Sequence, residues 1–486
     1  MPDDEILEGV LAEFAKLAAI PRPSGHEKAV SDFLKKYLTD LGLTVIQDEN
    51  YNIVANAAAT PGLEKAPLVI LQGHMDMVCV TETGGDYSPR RDPIKIVRDE
   101  KYLRAEGTSL GADDGIGISE AVYIVKNLRE HGALRLIFTV DEERGMTGAE
   151  KLDAKYLTDA AYLINCDSEN YDELVVGSAG NVTMDFWQKI TAKEELTSSR
   201  LYKISVEGLK GGHSGERIND GRGNAIRIMA FTLLELGDKG KVELISLQGG
   251  MARNVIPGYA EAVIATDIPP EKIEAILQEE TARFRRTYGQ VEPGIAFKCA
   301  AIDLPGEERQ AFTPSAAQDF LRFLTVLHTG VYAMSPLGDG LVETSANLGV
   351  VQTTPEEFRT QFLPRSSSME KLEEFCLTAK WVAEKFGLQT DIDHISPGWR
   401  ENPHSRLAKL MQDIFEEQNG KPMKVTAIHA GLECGWHLAK NPNLDIVSVG
   451  VTTENIHSPK ERLVLSTVAP QVRLIMTALT RIAKEA

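Results

Sequence analysis

The chain has 486 residues, of which 43% are hydrophobic and 25% charged, and it carries a net charge of −19. That is longer than one hydrophobic core usually serves, so two domains are expected in a protein of ordinary globular composition. The acidic balance opposes nucleic-acid binding, and no apolar run approaches the roughly 18 residues that span a bilayer.

The N-terminal stretch MPDDEILEGVLAEFAKL is acidic and amphipathic, without the basic start and apolar centre of a signal peptide, so a cytoplasmic location without membrane association is expected. Residues 5–20 and 27–42 show helical periodicity around the turn-rich PRPSG. Strand-like runs follow, and PLVILQG (67–73) leads into His74 and Asp76. After the glycine-rich GTSLGADDGIG, the segment ISEAVYIVKNLREHG reads as a helix ending at Gly132, with Asp113 and Asp114 at its N-terminus. LRLIFTV (134–140) runs into Asp141, Glu142 and Glu143, and AYLIN (161–165) leads to Asp167.

From about residue 185 the pattern changes to strands such as LYKISVEGL and AEAVIATDI, interleaved with helices such as NAIRIMAFTLLEL. This predicts an α+β domain over 186–395, inserted into an α/β catalytic domain formed by 1–185 and 396–486, with a mixed central sheet flanked by helices. Its two halves have a similar order, RLYKISVEG before NAIRIMAFTLLEL and EEFRTQFLP before MEKLEEFCLTAKWVAEKFG, which suggests an internal duplication. The catalytic pattern resumes with a helix around SRLAKLMQDIFEEQNG, then IVSVGV (446–451) leading to His457, and a closing helix VAPQVRLIMTALTRIAKEA. The five cysteines (79, 166, 299, 376 and 434) include no CxxC pair, and free thiols are expected.

In an open α/β sheet, ligands collect at the carboxyl ends of strands, so acidic and histidine residues that each follow an apolar run converge there. One such residue is usually a turn or cap. The set has different consequences. His74, Asp113, Glu143, Asp167 and His457 can hold two zinc ions per chain if one carboxylate bridges them, with manganese or cobalt as alternatives. In this reading Asp113 bridges, His74 and Asp167 complete one site, and Glu143 and His457 the other. Two metals about 3.5–4 Å apart can share a hydroxide and polarise a carbonyl. Glu142 is left uncommitted beside the metals, placed to act as general base, and Asp76 to fix the tautomer of His74. His26, His131, His328, His394, His404 and His437 lie outside this pattern and read as surface or packing residues. Glu433, in IHAGLECG, is open to two readings, a receptor for a substrate amino group or a structural turn residue.

The strings GHMDMV, GADDGIG, DEERGMTG, INCDSE and ENIHSP, in this order and with a large insertion before the last, resemble the co-catalytic zinc peptidase family that includes carboxypeptidase G, peptidase T, carnosinases and aminoacylases. The resemblance spans nearly the whole chain. It implies hydrolysis of small peptides, and Asp rather than Glu at position 167 implies a dipeptidase, acting on Xaa-His dipeptides such as β-alanyl-histidine among others. An N-acyl-amino-acid deacylase is the alternative on the same metals. It also implies that His213, in GLKGGHSG, stabilises the oxyanion, and that Asn254 and Arg365, in MARNVIPG and FLPRSSS, grip the substrate carboxylate. A cis peptide bond between Asp113 and Asp114 and a homodimer are further features known among such relatives. Many relatives carry Lys two residues after the bridging Asp, where this chain has Gly115, so that lysine's role does not transfer.

Overall fold

In a computed structural model, which describes residues 2–82, 87–306, 309–335 and 340–485, the chain forms two compact units. The first comprises Met1–Ser178, Trp399–Ala427 and Leu432–Ala486, and the second Ala179–Gly398 with Ile428–Gly431. The change of unit thus falls at Ala179 rather than 186, and four residues from 428 return to the second unit, which the pattern of the sequence did not reveal.

The first unit is built on an eight-stranded mixed sheet. At its centre, Leu134–Thr139, Val69–His74, Tyr162–Asn165 and Asp445–Ser448 lie side by side and parallel. Both faces of a central parallel strand are covered, which is why VILQGH and LRLIFT are buried at every position instead of alternating. Thr44–Gln47 and Ile53–Ala57 extend one edge in antiparallel fashion. The helices Asp3–Ala18, Lys28–Asp40, Ala112–Asn127, Arg406–Asn419 and Val468–Lys484 share one core with the sheet, through Phe14, Leu34, Ile118, Phe415 and Ile475 among others. Parallel strands bring their carboxyl ends to one edge, so His74 and Thr139 end at a common level, while Asn165 ends its strand opposite Gln72, two residues earlier.

The helix after the glycine-rich segment ends at Asn127, not at Gly132. Leu128 turns extended, and residues 129–131 bond elsewhere: Thr60 Oγ1 donates to the Arg129 carbonyl at 3.0 Å, and the Thr60 N–H to that of His131 at 2.9 Å. A tertiary contact replaces the glycine cap.

The second unit contains a nine-stranded sheet, eight of whose strands form two halves of the same βαββαβ order, the ninth, Gly330–Met334, pairing with Val342–Thr353. One half runs Arg200–Glu207, helix Ala225–Lys239, Val242–Gly249, Ala260–Thr266, helix Pro270–Tyr288 and Ala296–Ala301. The other starts with Gly180–Lys189, ahead of the first half, and resumes with helix Pro314–Val326, Val342–Thr353, Glu357–Ser366, helix Met369–Lys385 and Gln389–Ser396. Within each half the sheet order is fourth, first, third, second strand, and the second strands join the halves at Gln248↔Gln352. The halves therefore correspond differently from the expectation: EEFRTQFLP is a third strand, whereas RLYKISVEG is a first. One half is inserted after the first strand of the other, so a linear comparison mispairs them.

This unit has its own core, where Phe358 stacks on Phe320 with centroids 4.3 Å apart and meets Phe312 edge-on at 4.5 Å. Phe358→Ala should cost about 3–5 kcal/mol of stability, because the sheet and two helices cannot collapse into the space. Urea denaturation checks this; an unchanged midpoint would show that the aromatic cluster does not support the unit.

Candidate active site

The carboxyl-end loops of the first unit are fixed by a layer of buried polar groups. Asp141 adopts a left-handed conformation (φ 58°), which Asp tolerates better than most residues and which turns the chain sharply after the strand. The turn presents two backbone N–H groups, of Glu142 and Glu143, to the Asp76 carboxylate at 3.0 and 3.2 Å. The glycine-rich segment 110–113 is held by the Glu461 carboxylate, which accepts from four successive N–H groups at 2.7, 3.0, 2.8 and 3.4 Å. Arg22 ties the same segment to the strand loop, donating to the carbonyls of Met75, Asp76 and Gly111 at 2.9, 2.9 and 2.5 Å. Asp114, joined to Asp113 by a cis peptide bond, accepts from the N–H groups of His74 and Gly117, both at 3.2 Å. A Cβ at Gly73 or Gly117 would stand 2.2 or 2.3 Å from its carboxylate oxygens, so both positions must be glycine for Asp114 to sit there.

Within this frame five side chains converge. Asp113 Oδ1 lies 3.0 Å from His74 Nε2, and Asp113 Oδ2 lies 3.1 Å from His457 Nε2. Asp167 stands 3.3 Å from His74 Nε2 and Glu143 stands 2.9 Å from His457 Nε2. One ligating atom each of His74, Asp113 and Glu143 fall within 4.8 Å of one another. His74 is buried and His457 is 45% exposed, so the cluster opens on the His457 side. Asp76 Oδ1 is 3.5 Å from His74 Nδ1, long for a hydrogen bond, and its short bonds go instead to the Glu142 and Glu143 backbone.

The electrostatics mark a site that lacks cations of its own. Burial pushes the Asp167 carboxyl up to about 7, with Asp113 and Glu143 adding repulsion against the relief from His74. Burial likewise raises Glu142 well above the carboxylate range. For Asp113 burial is overcome by the bonds to His457 and His74, which hold it far below that range. Burial would lower both imidazoles, but the surrounding carboxylates raise His74 well above its ordinary value and push His457 up to about 11. Among the described residues, every ion pair of the five is with another member or with Asp76. Two N–H-bearing rings and three carboxylates packed without lysine or arginine fit divalent cations, which replace ring protons and offset the buried acids.

The remaining expected residues belong to the second unit. His213 ends the short strand Gly212–His213, paired with Val255–Ile256, and the Ser214 N–H donates to the Asn254 carbonyl at 2.8 Å. Asn254 is exposed, on a loop that Asn347 holds through the Arg253 and Val255 carbonyls, each at 2.8 Å. Arg365 is buried opposite Ser345, and burial lowers its guanidinium to about 10. Ser345 bonds the ring of His429 at 2.6 Å, and burial with the nearby Arg365 charge lowers His429 to about 3. A Cβ on Gly215 would touch both the His429 carbonyl and the His213 ring, so these residues share one neighbourhood.

The sequence places Asp114 at the helix N-terminus without indicating a role, and it does not single out Arg22, Glu461 or His429. Glu461 lies four residues after His457 and Asp114 next to Asp113, but neither carries a ligand pattern. Their work is on backbone groups, which leave no signature in side-chain spacing.

A largely enclosed cluster of this make-up at the strand ends of a mixed α/β sheet offers the donors of a divalent-metal centre, in keeping with a metal-dependent hydrolase. The chain belongs to peptidase family M20/M25/M40, whose family model matches residues 70–481. It is 31% identical over 478 residues to the cytosol non-specific dipeptidase of Escherichia coli K12, covering 97% of this chain and 96% of the relative. Among solved structures, aminoacylhistidine dipeptidase from Vibrio alginolyticus superposes with a TM-score of 0.88 at 32% identity, over 97% of this chain and 96% of that one. Human carnosine dipeptidase 1 shares the fold, with a TM-score of 0.52 at 11% identity over 99% and 98% of the two chains. No helix among the described residues is long and apolar enough to cross a membrane.

The surrounding carboxylates raise His74 and His457, and burial raises Asp167, so zinc binding to the metal-free protein should displace protons from these ligands. Its affinity should fall as pH is lowered. Titration calorimetry in two buffers of different ionisation enthalpy counts the protons; heats independent of the buffer would contradict the assignment.

Proposed function

We propose that this protein is a cytoplasmic dipeptidase that hydrolyses Xaa-His dipeptides such as β-alanyl-histidine, with broader dipeptide specificity, using two divalent metal ions, zinc by preference. The reading rests on one observation above all: the two oxygens of Asp113 face two different imidazoles at 3.0 and 3.1 Å, each accompanied by a further carboxylate. His74, Asp113 and Asp167 would hold one ion and Asp113, Glu143 and His457 the other. When bound, such ions polarise the scissile carbonyl and make water acidic at neutral pH. The names of the relatives from E. coli and V. alginolyticus support both the substrate class and the location.

In this reading Glu142 takes the proton of the attacking water and returns it to the leaving amine. Burial raises its carboxyl, and cations held by the neighbouring ligands would favour the ionised form that accepts the proton. Asp76 holds the Glu142 N–H and so sets where the base points. His213 donates to the oxyanion as the carbonyl becomes tetrahedral, and Arg365 and Asn254 bind the free carboxylate of the peptide. Arg365 suits an anion: it is buried, and no carboxylate pairs with it among the described residues.

Glu142→Gln should lower kcat by about 10²- to 10⁴-fold with two metal ions retained, since the residue is assigned to proton transfer. Kinetics beside metal analysis decides: near wild-type turnover, or loss of one metal equivalent, would remove Glu142 from that role. His213→Ala should lower kcat far more than it raises KM.

We further propose that His213 and Arg365 serve the active site of their own chain, the doubled sheet of the second unit supplying what a neighbouring subunit would otherwise provide. Mixing Glu142→Gln protein with His213→Ala protein, with subunit exchange demonstrated, should restore no activity. Recovery in the mixture would assign the histidine to the partner's site.

A further inference from the structure

Glu433 begins the helix Glu433–Lys440 and is fully buried in the first unit. Its Oε2 accepts from Gln72 Nε2 at 2.6 Å and from Thr139 Oγ1 at 2.7 Å, while its Oε1 is buried with no hydrogen-bond partner. The amide of Gln72 cannot be turned over to help, because its own oxygen accepts from Asn165 Nδ2 at 2.7 Å, and Asn165 in turn accepts from Ser448 at 2.5 Å. The chain of donors therefore delivers two hydrogen bonds to one oxygen and leaves the other open. Among the described residues, no lysine or arginine forms an ion pair with Glu433. Of the basic groups on its helix, His437 is buried with neither ring nitrogen in a hydrogen bond and is lowered to about 3 by burial, and Lys440 donates to the carbonyls of Ala149, Glu150 and Leu152.

The position of this carboxylate narrows what the open oxygen is for. Gln72 and His74 point to the same face of one strand, and Thr139 is the cross-strand neighbour of His74. Glu433 thus lies one step behind the proposed metal ligand His74, at the end of the sheet where the candidate ligands converge. Burial pushes the Glu433 carboxyl up to about 8, and its ionised form, with one unsatisfied oxygen, is costly unless a cation or donor reaches it. In a dipeptide the free amino group sits within about 4 Å of the scissile carbonyl carbon, two bonds away for an α-amino acid and three for a β-amino acid.

We propose that Glu433 receives the protonated amino terminus of the substrate on Oε1, making it the residue that restricts the site to peptides with a free N-terminus. The inference rests on the dipeptidase reading and adds its selectivity. The ammonium supplies the missing donor and the missing positive charge together. An N-acylated substrate supplies neither and leaves the oxygen unpaired, and sites built to bond a polar group reject analogues lacking it.

β-Alanyl-histidine and propionyl-histidine differ only in that amine, so their relative hydrolysis by the zinc-loaded full-length protein reads the interaction. Wild type should prefer the former by at least about 100-fold in kcat/KM. Glu433→Gln keeps the shape and an acceptor for Gln72 and Thr139. It should lose about 10- to 100-fold on β-alanyl-histidine, chiefly through KM, with no loss on propionyl-histidine and unchanged metal content and melting temperature. A preserved preference in the variant, or an equal fall on both substrates with lost stability, would overturn the proposal in favour of a structural role. Should the variant not fold, the wild-type ratio decides: equal rates on the two substrates refute the role of Glu433 and leave the metal-dependent hydrolysis intact. Failure to cleave any dipeptide would instead remove the dipeptidase reading beneath it.

Discussion

Two imidazoles bracket one largely enclosed carboxylate, and the rest of the first unit is arranged around the electrostatic demand this creates. Asp113, Asp167, Glu142 and Glu143 crowd the ends of four parallel strands without a single lysine or arginine in ion-pair contact among the described residues. Leaving such charges uncompensated costs several kcal/mol for each ion. A folded chain tolerates that only where the backbone leaves the side chains no escape and a ligand is due to arrive.

The means of holding them are mostly backbone contacts. Glu461 spends both carboxylate oxygens on four N–H groups of one loop, and Arg22 spends its guanidinium on three carbonyls. Each is a buried charge satisfied by peptide dipoles, so neither competes with the cluster for a counter-ion. Asp76 works in the same way: by accepting from Glu142 and Glu143 it fixes the base and one ligand from a single carboxylate. Asp141 and His457, both at positive φ without being glycine, complete the picture of a site whose local geometry is imposed by its surroundings.

How much of this could be read in the sequence depends on where the signal lies. His74, Asp113, Glu143, Asp167 and His457 were legible because each follows an apolar run or a glycine-rich turn, and parallel strands deliver such positions to one edge. The central strands were legible for the same reason, being apolar at nearly every position. Arg22 and Glu461 were not, since a charge that bonds backbone groups needs no partner of recognisable spacing. Nor was His429, which reaches the second unit on a four-residue excursion that no periodicity announces. The doubled sheet was half legible: its repeated strands and helices stood out, but one strand is displaced past a whole repeat, so their pairing came only with the topology. The premature end of the helix at Asn127 turned on Thr60, some 70 residues distant, and no local rule contains that contact.

The central claim is that one carboxylate, Asp113, is shared between two metal ions. Electron paramagnetic resonance of manganese-reconstituted protein, read beside the bound stoichiometry, addresses it most directly. The account predicts two manganese ions per chain with the spectrum of an exchange-coupled pair, and loss of that coupling in Asp113→Asn. A single bound ion, or two ions with the spectrum of isolated centres, would contradict it.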